Sequence, residues 1–362
     1  MLESSYIMRK IKLLPSWSLS NEENEALGSE LFVLLDLIHR TGTLSEAAKQ
    51  TGISYRHAWN QVNHWKSFFG SDLVAFTRGK GASLTEIGEK LLWAEQRVSA
   101  RVGPQLQSLS SEINTELNRA LTSARNSLTI HASHGYAVAY LPELLKMAPE
   151  FQVDLRYTGA AESLASLNRG DCELAGFHLP TEGNGQEIID SLAAFLDESS
   201  HRFIHLVTRT QGLFVPSSNP KKIESLADLV NPDVTFVNRQ YPSGTRMLFD
   251  HLLNKNNMSA RDIEGYQSEE FTHAAVAAYV ASGMADTGFG VQPAADQFGL
   301  EFIPLAQEKY MFAFKKNGAR KKEILKLITL LKSLEFANYV GTLPGYTAPE
   351  AGKVVTLDEA IS

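Results

Sequence analysis

The sequence predicts a mixed fold, an α-rich N-terminal domain followed by a two-lobed α/β domain. Three observations predict it. Apolar residues recur at helical spacing from Gly28 to about Leu121, short strands and helices alternate in two series after Arg125-Asn126, and the chain has 362 residues, enough for two or three domains of ~100–200 residues each. The composition, 43% hydrophobic and 21% charged, is that of a globular protein. The longest near-continuous apolar run, Ala274–Ala281, has eight residues, far short of the ~20 of a membrane span. The start, MLESSYIMRKIKLLPSW, has no extended apolar region with a small-residue cleavage site, and the single cysteine, Cys172, has no partner for an internal disulfide. The expectation is a cytoplasmic protein with no membrane partner. Its net charge of −7 is uneven: Arg40, Lys49, Arg56, Lys66, Arg78 and Lys80 against Glu46 and Asp72 make the window 40–80 +4, as six cations minus two acids. Such a patch fits a polyanion, although it also suits an ordinary solvated face.

Residues 1–26 read as a polar lead-in, 27–85 as a first domain and 86–125 as a linking helix. Leu31, Leu34, Leu35 and Ile38 mark one helix, and Leu44, Ala47 and Ala48 a second after Thr41-Gly42. In GTLSEAAKQTGISYRHAWNQVNHW, residues 42–65, Thr43 is placed to cap the second helix, with Glu46 completing a capping box. Gly52 falls at a sharp turn, and Ser54 is placed to cap a third helix from Tyr55 to Trp65. Small Ala47 and Ala48 permit close approach. This is helix-turn-helix grammar, in which the later helix enters the DNA major groove. Tyr55, Arg56, His57 and Asn60 lie near its start, where base edges are reached; Arg56 suits guanine and Asn60 adenine. Ala58, Val62 and Trp65 should pack inward, and Trp59 is open to either side. The β-like LVAFT and SLT flank RGKG, whose Arg78 and Lys80 reach phosphate as a wing would, or form a plain hairpin tip. Ile87, Leu91, Ala94, Val98 and Val102 then form an apolar stripe, continued by Leu106, Leu109, Ile113, Leu117 and Leu121, with Gly103-Pro104 expected to kink or interrupt the helix. The stripe suits a partner helix or an internal core.

From Leu31 to about Leu109 the chain resembles the winged helix-turn-helix DNA-binding domain of ModE-type molybdate-responsive regulators, which is related to that of the LysR family. The matching words are GTLSEAAKQTGISYRHAW, FFGSDLV and GKGASLTEIGEKLL. The resemblance implies a homodimer joined through the helix after the wing and double-stranded DNA as partner. By position it assigns Ser54, Tyr55, Arg56, His57 and Asn60 to the reading helix, and Arg78 and Lys80 to the wing.

Residues 126–350 form the α/β domain, with lobe I at about 127–205 and 305–350 and lobe II at about 216–300. SLTIHAS, a helix from Tyr136 to Met147, FQVDLRYTG, a helix near Leu164–Asn168 and CELAGFH make one β-α-β-α-β series. HRFIHLVTRTQGLFVP reads as a long strand pair or crossover. DVTFVNRQ, the helix of SGTRMLFDHLLNK, IEGYQS, the helix of EFTHAAVAAYVASG and ADTGFG make the second series, and KKEILKLITLLKSLEFANYV closes the chain as an amphipathic helix. The alternation argues for parallel sheets with a cleft between lobes. This part resembles not the small barrels of ModE-type proteins but a type II periplasmic-binding-protein fold, shared by receptors for molybdate, tungstate and phosphate, in the form found behind helix-turn-helix domains.

Two strand-to-helix turns point to an anion. Ser243-Gly244-Thr245-Arg246 opens one helix, and Ser133-His134, before Gly135, opens another. Backbone N–H groups and the helix dipole favour negative charge at such places, and Arg246 adds a guanidinium fork. A simple helix cap is the plainer reading of SGTR. Thr272, His273 and Tyr310 are further candidates, His178 a weaker one, and Glu269 is a carboxylate suited to orienting Arg246. His201 and His205 share a strand face but are assigned no metal. No catalytic motif, metal set or cofactor motif assembles. The expectation is a one-component transcriptional regulator, not an enzyme, whose effector is a small anion: molybdate or tungstate first, a small organic acid such as formate second. An enzyme or cofactor-handling protein of molybdenum metabolism is the competing class, and the first 110 residues would have no task in it.

Overall fold

The structure is a computed structural model and describes all residues except 1–10, 23, 80, 123–126, 149–151, 182–185 and 362. The chain divides into two compact units, Leu14–Val102 and the chain from Gly103 onward, the latter joined by Ile11.

In the first unit, α1 (Glu30–Thr41), α2 (Leu44–Thr51) and α3 (Tyr55–Phe69) are followed by the hairpin β1 (Val74–Thr77) and β2 (Gly81–Leu84). Leu31, Leu34, Leu35 and Ile38 of α1, Ala47 and Ala48 of α2, and Ala58, Val62 and Trp65 of α3 are buried together. Truncating a buried tryptophan such as Trp65 costs roughly 3–5 kcal/mol, so α3 is fixed by its inner face. The turn between α2 and α3 needs Gly52, whose φ is 75°, a region closed to most side chains. The Thr43 hydroxyl accepts from the Glu46 N–H at 3.2 Å, but the Glu46 carboxylate accepts from Gln50 instead of closing the box. Gly81 lies where a β-carbon would come within 2.2 Å of the Gly42 carbonyl oxygen, and Ala82 N–H donates to that oxygen at 2.7 Å. The wing is therefore stapled to the α1–α2 turn.

The helix α4 (Glu86–Thr122) runs unbroken through Pro104, so of the kink or interruption expected at Gly103-Pro104 the interruption is absent. Proline removes one helical N–H, and the rest of this long helix supplies enough bonds to continue. Its C-terminal part belongs to the second unit. There the Ser108 and Ser111 hydroxyls accept from the Tyr157 and Leu155 N–H groups, each at 2.9 Å, which satisfies the outer edge of a sheet that is otherwise a template for pairing.

The second unit is built on β3 (Ser127–Ala132), β4 (Gln152–Tyr157), α5 (Ala160–Arg169), β5 (Leu174–Pro180), β6 (His201–Pro216), β7 (Phe236–Arg239), α6 (Gly244–Lys255), β8 (Glu269–Glu270), α7 (His273–Ala281), β9 (Thr287–Val291) and β10 (Leu300–Lys315). The sheet order is β8-β7-β9-β6-β10-β5-β3-β4, with Tyr346–Thr347 and Val354–Val355 also on β6. Parallel pairs lie at both flanks, as the alternation predicts, but β6 pairs antiparallel with β9 and β10, and β10 with β5. HRFIHLVTRTQGLFVP is one strand of 16 residues, the crossover and not the strand pair of the two expected alternatives. The lobes share one sheet crossed by β6 and β10, and Arg209 stands opposite Glu308 where they cross. Three other expectations change. The stretch from Tyr136 to Met147 is three short helical pieces, with Pro142 inside the second. IEGYQS, expected as a strand, is turns whose Glu264 and Ser268 carbonyls accept from the Phe236 and Asn238 N–H groups, and the strand on the outer edge of β7 is Glu269–Glu270. The closing helix breaks at Ser333, which caps a second segment, Leu334–Gly341. Beyond position 350, Val354–Val355 and the helix Leu357–Ile361 pack onto the same unit.

Candidate ligand cleft and DNA-reading helix

On α3, Tyr55, Arg56, His57 and Asn60 are all exposed, while the next residue inward, Ala58, is buried. The Ser54 hydroxyl accepts from the His57 N–H at 3.1 Å, which makes Ser54 the cap of the helix. Trp59 is exposed on the same helix, near Tyr55 and packed at 4.9 Å on Phe76 of the wing. Arg78 is exposed at the wing tip, and Lys80 lies outside the described residues. Along α4 the stripe of Ile87, Val98, Leu109, Ile113 and Leu117 is exposed, and it does not stop at Pro104.

In the second unit the two predicted turns meet one buried polar cluster at the crossing of β6 and β10. Arg209 donates from Nε to Glu308 Oε1 at 2.6 Å, and its Nη2 lies 2.6 Å from the same oxygen. Gln211 donates to that oxygen at 2.6 Å and toward Thr245 Oγ1 at 3.4 Å. From the first turn, Gly135 lies beside Arg209, where a β-carbon would approach Nη1 to 3.2 Å, and Tyr310 donates to the Ser133 carbonyl at 2.9 Å. From the second, Gly244 lies against His178, whose Nδ1 would be 2.8 Å from a β-carbon there. A small cavity is lined by His178, Glu308, Gly244 and Met247 with apolar neighbours.

Of the two buried arginines here, only Arg209 has a carboxylate at ion-pair distance among the described residues. Burial works against the Glu308 charge, yet Arg209 outweighs it and holds the carboxyl below its ordinary range. Arg239, at the end of β7, is 5% exposed and donates to Gln240 Oε1 at 3.2 Å and the Phe271 carbonyl at 3.0 Å. Among the described residues no carboxylate pairs with it. Burial, then repulsion from Arg209, pushes its pKa down from 12.5 to about 9. The same surroundings keep three imidazoles neutral. His134 is lowered to about 4 by burial, Arg239 and Arg209, and His178 to about 3 mainly by burial. His273, the first residue of α7, is driven far down by burial and by both arginines. Buried side-chain atoms without a hydrogen-bond partner collect here: Ser133 Oγ, both His178 nitrogens, Arg209 Nη1, Gln211 Oε1 and His273 Nδ1. Buried polar groups are normally satisfied, so this concentration makes the place a candidate ligand site.

Not every expected residue faces that place. Arg246 is a correction: its Nε donates to Asp250, its Nη1 to Glu269 at 3.1 Å and to the Arg239 carbonyl, and it stacks over Tyr266 at 4.0 Å. Two acids and a ring occupy its fork, so it braces lobe II, with Glu269 orienting it. The Ser243 hydroxyl accepts from the Arg246 N–H and the Thr272 hydroxyl from the Ala275 N–H, so both act as helix caps. Arg209, Gln211, Arg239 and Glu308 were missed. The available signal was a charged residue inside an otherwise apolar strand, a pattern rare for fully buried positions. His201 and His205 instead meet the Asp197 N–H and Thr208.

The comparisons with known proteins agree with this division. The PBP superfamily domain matches residues 142–332, and the bacterial regulatory helix-turn-helix protein, lysR family, matches residues 29–89. The first match covers more than half of the chain, and the chain belongs to the PBP superfamily. It is 33% identical over 202 residues to the uncharacterized protein YvgK of Bacillus subtilis, covering 55% of this chain and 64% of that protein. It is 37% identical over 111 residues to the molybdenum-pterin-binding protein MopB of Rhodobacter capsulatus, covering 28% of this chain and 41% of that one. The chain thus spans less than two thirds of either relative. A solved structure of OxyR from Corynebacterium glutamicum with H2O2 bound has a TM-score of 0.45 at 15% identity, over 86% of this chain and 94% of that one.

Proposed function

We propose that this protein is a one-component transcriptional regulator of the cytoplasm that binds operator DNA as a homodimer and senses a small anion in its cleft. The anion of first choice is molybdate or tungstate. The observation that carries the anion reading is Arg239, a buried cation with no carboxylate partner among the described residues, beside the unpartnered polar atoms of Ser133, His178, Arg209 and His273. A buried charge is tolerated only when something compensates it, and an anion does so while neutral imidazoles and hydroxyls donate to its oxygens. Similarity to MopB supports the molybdenum choice. The DNA half rests on the capped, outward-facing start of α3 and on the lysR-family helix-turn-helix match. The exposed stripe of α4 supports dimerisation through that helix. Isothermal calorimetry with molybdate, tungstate, sulfate, phosphate and formate tests the reading: one of the first two should bind most tightly, and equal or absent heats for all five would refute it.

A further inference from the structure

The anion reading leaves a charge question. Arg209 is spent on Glu308, Arg239 makes no ion pair among the described residues, and the buried Glu270 stands opposite it on β8, so a dianion such as molybdate brings at least one negative charge more than the cluster's cations offset. A group of the cluster that is neutral in the free protein can offset that charge by taking up a proton. Three imidazoles qualify by place: His134 after β3, His178 on β5 and His273 at the start of α7.

They differ in what surrounds them. His134 packs edge-on against Tyr157 at 5.0 Å and feels the two arginines. His273 feels the same arginines and the other two imidazoles. His178 alone lines the cavity together with Glu308 and Gly244. From β10 it is faced by Glu308 and by the Tyr310 ring at 4.3 Å, from β6 and β7 by Arg209 and Arg239, and from α7 by His273. Both its ring nitrogens are buried without partners. A carboxylate on one side and a dianion on the other would outweigh the two arginines and stabilise the imidazolium. We propose that His178 is a charge-matching residue of the cleft, taking up one proton when a dianion binds and none when a monoanion binds. This rests on the anion reading and adds a specificity rule to it: between about pH 6 and 8, below the titration of Arg239, dianion affinity falls as pH rises and monoanion affinity does not.

The sign follows from linkage. A ring whose proton affinity is raised by the ligand binds a proton with it, so the association constant drops up to tenfold per pH unit between the free and bound pKa values of the ring. The lowered value of the free protein, about 3, sets the lower end of that window, and the pKa of the ring in the complex sets its upper end.

The test is calorimetry of the full-length protein with sodium molybdate at pH 7 in phosphate-free buffers of different ionisation heats. Uptake of about one proton per site and a five- to tenfold loss of affinity from pH 6.5 to 7.5 are expected, with H178N binding molybdate more weakly and without proton uptake. Formate, the monoanion arm, should show no proton uptake wherever it binds. Molybdate binding whose heat is independent of buffer overturns the role of His178 while leaving the anion reading intact. Proton uptake retained in H178N assigns the proton elsewhere and also overturns it. Absence of molybdate and tungstate binding at every pH overturns the reading beneath it.

Discussion

Replacing Arg239 by methionine should make the ligand-free protein more stable and the anion-binding protein worse. The fall of its pKa from 12.5 to about 9, at ~1.4 kcal/mol per pKa unit, is a penalty of ~5 kcal/mol on the charged form. Against this stand its two hydrogen bonds, to Gln240 and the Phe271 carbonyl, each contributing ~1 kcal/mol. Methionine keeps most of the buried apolar stem, so the net gain for R239M in the absence of anion is ~3 kcal/mol. With ~2–4 °C per kcal/mol for a domain of this size, the unfolding midpoint of the second unit should rise by about 6–12 °C. Anion affinity should fall by ~2–5 kcal/mol, the usual cost of deleting one partner of a buried charged contact, which is roughly 30- to several-thousand-fold. Differential scanning calorimetry and anion titration read the two effects separately. A destabilised R239M with unchanged anion affinity would show that Arg239 braces the fold, and the reasoning from its uncompensated charge would be wrong.

R246A should do the reverse, losing ~2–3 kcal/mol of stability through its contacts with Asp250, Glu269 and Tyr266 while molybdate affinity stays within threefold by calorimetry. R56A should lose ~1–3 kcal/mol of affinity for a selected operator with an unchanged melting curve, because Arg56 is exposed and packs in no core. I113E should yield monomers in sedimentation equilibrium and weaken operator binding at least tenfold, because it places a charge in the middle of the exposed stripe of α4.

How much of this was legible in the sequence depends on range. The helix-turn-helix was legible because its determinants are local: Thr43 and Ser54 cap the helices that follow them, Gly52 turns between them, and the inward positions repeat at helical spacing. The outline of the α/β unit was legible from alternation. The antiparallel crossing of β6 and β10 was not, since partners 99 residues apart, such as Arg209 and Glu308, leave no periodic trace. The site suffered for the same reason. SGTR was legible as a helix start because a turn is local, but the anion role expected of Arg246 overlooked its neighbours Asp250, Glu269 and Tyr266. Arg239, seven residues earlier and ending β7, makes no ion pair among the described residues, and only the tertiary fold shows which arginine has acids within reach of its guanidinium.

The central claim is that an anion in the cleft changes how the protein binds DNA. It is tested most directly by fluorescence anisotropy on a DNA site selected by the protein from a random pool, titrated with and without saturating molybdate. Coupling of 1–3 kcal/mol, typical of two linked sites, corresponds to a ~5–150-fold change in DNA affinity. The account predicts a change in that range for the native protein and none for R239M at the same molybdate concentration. DNA affinity that is the same with the cleft of the native protein saturated and empty would contradict it.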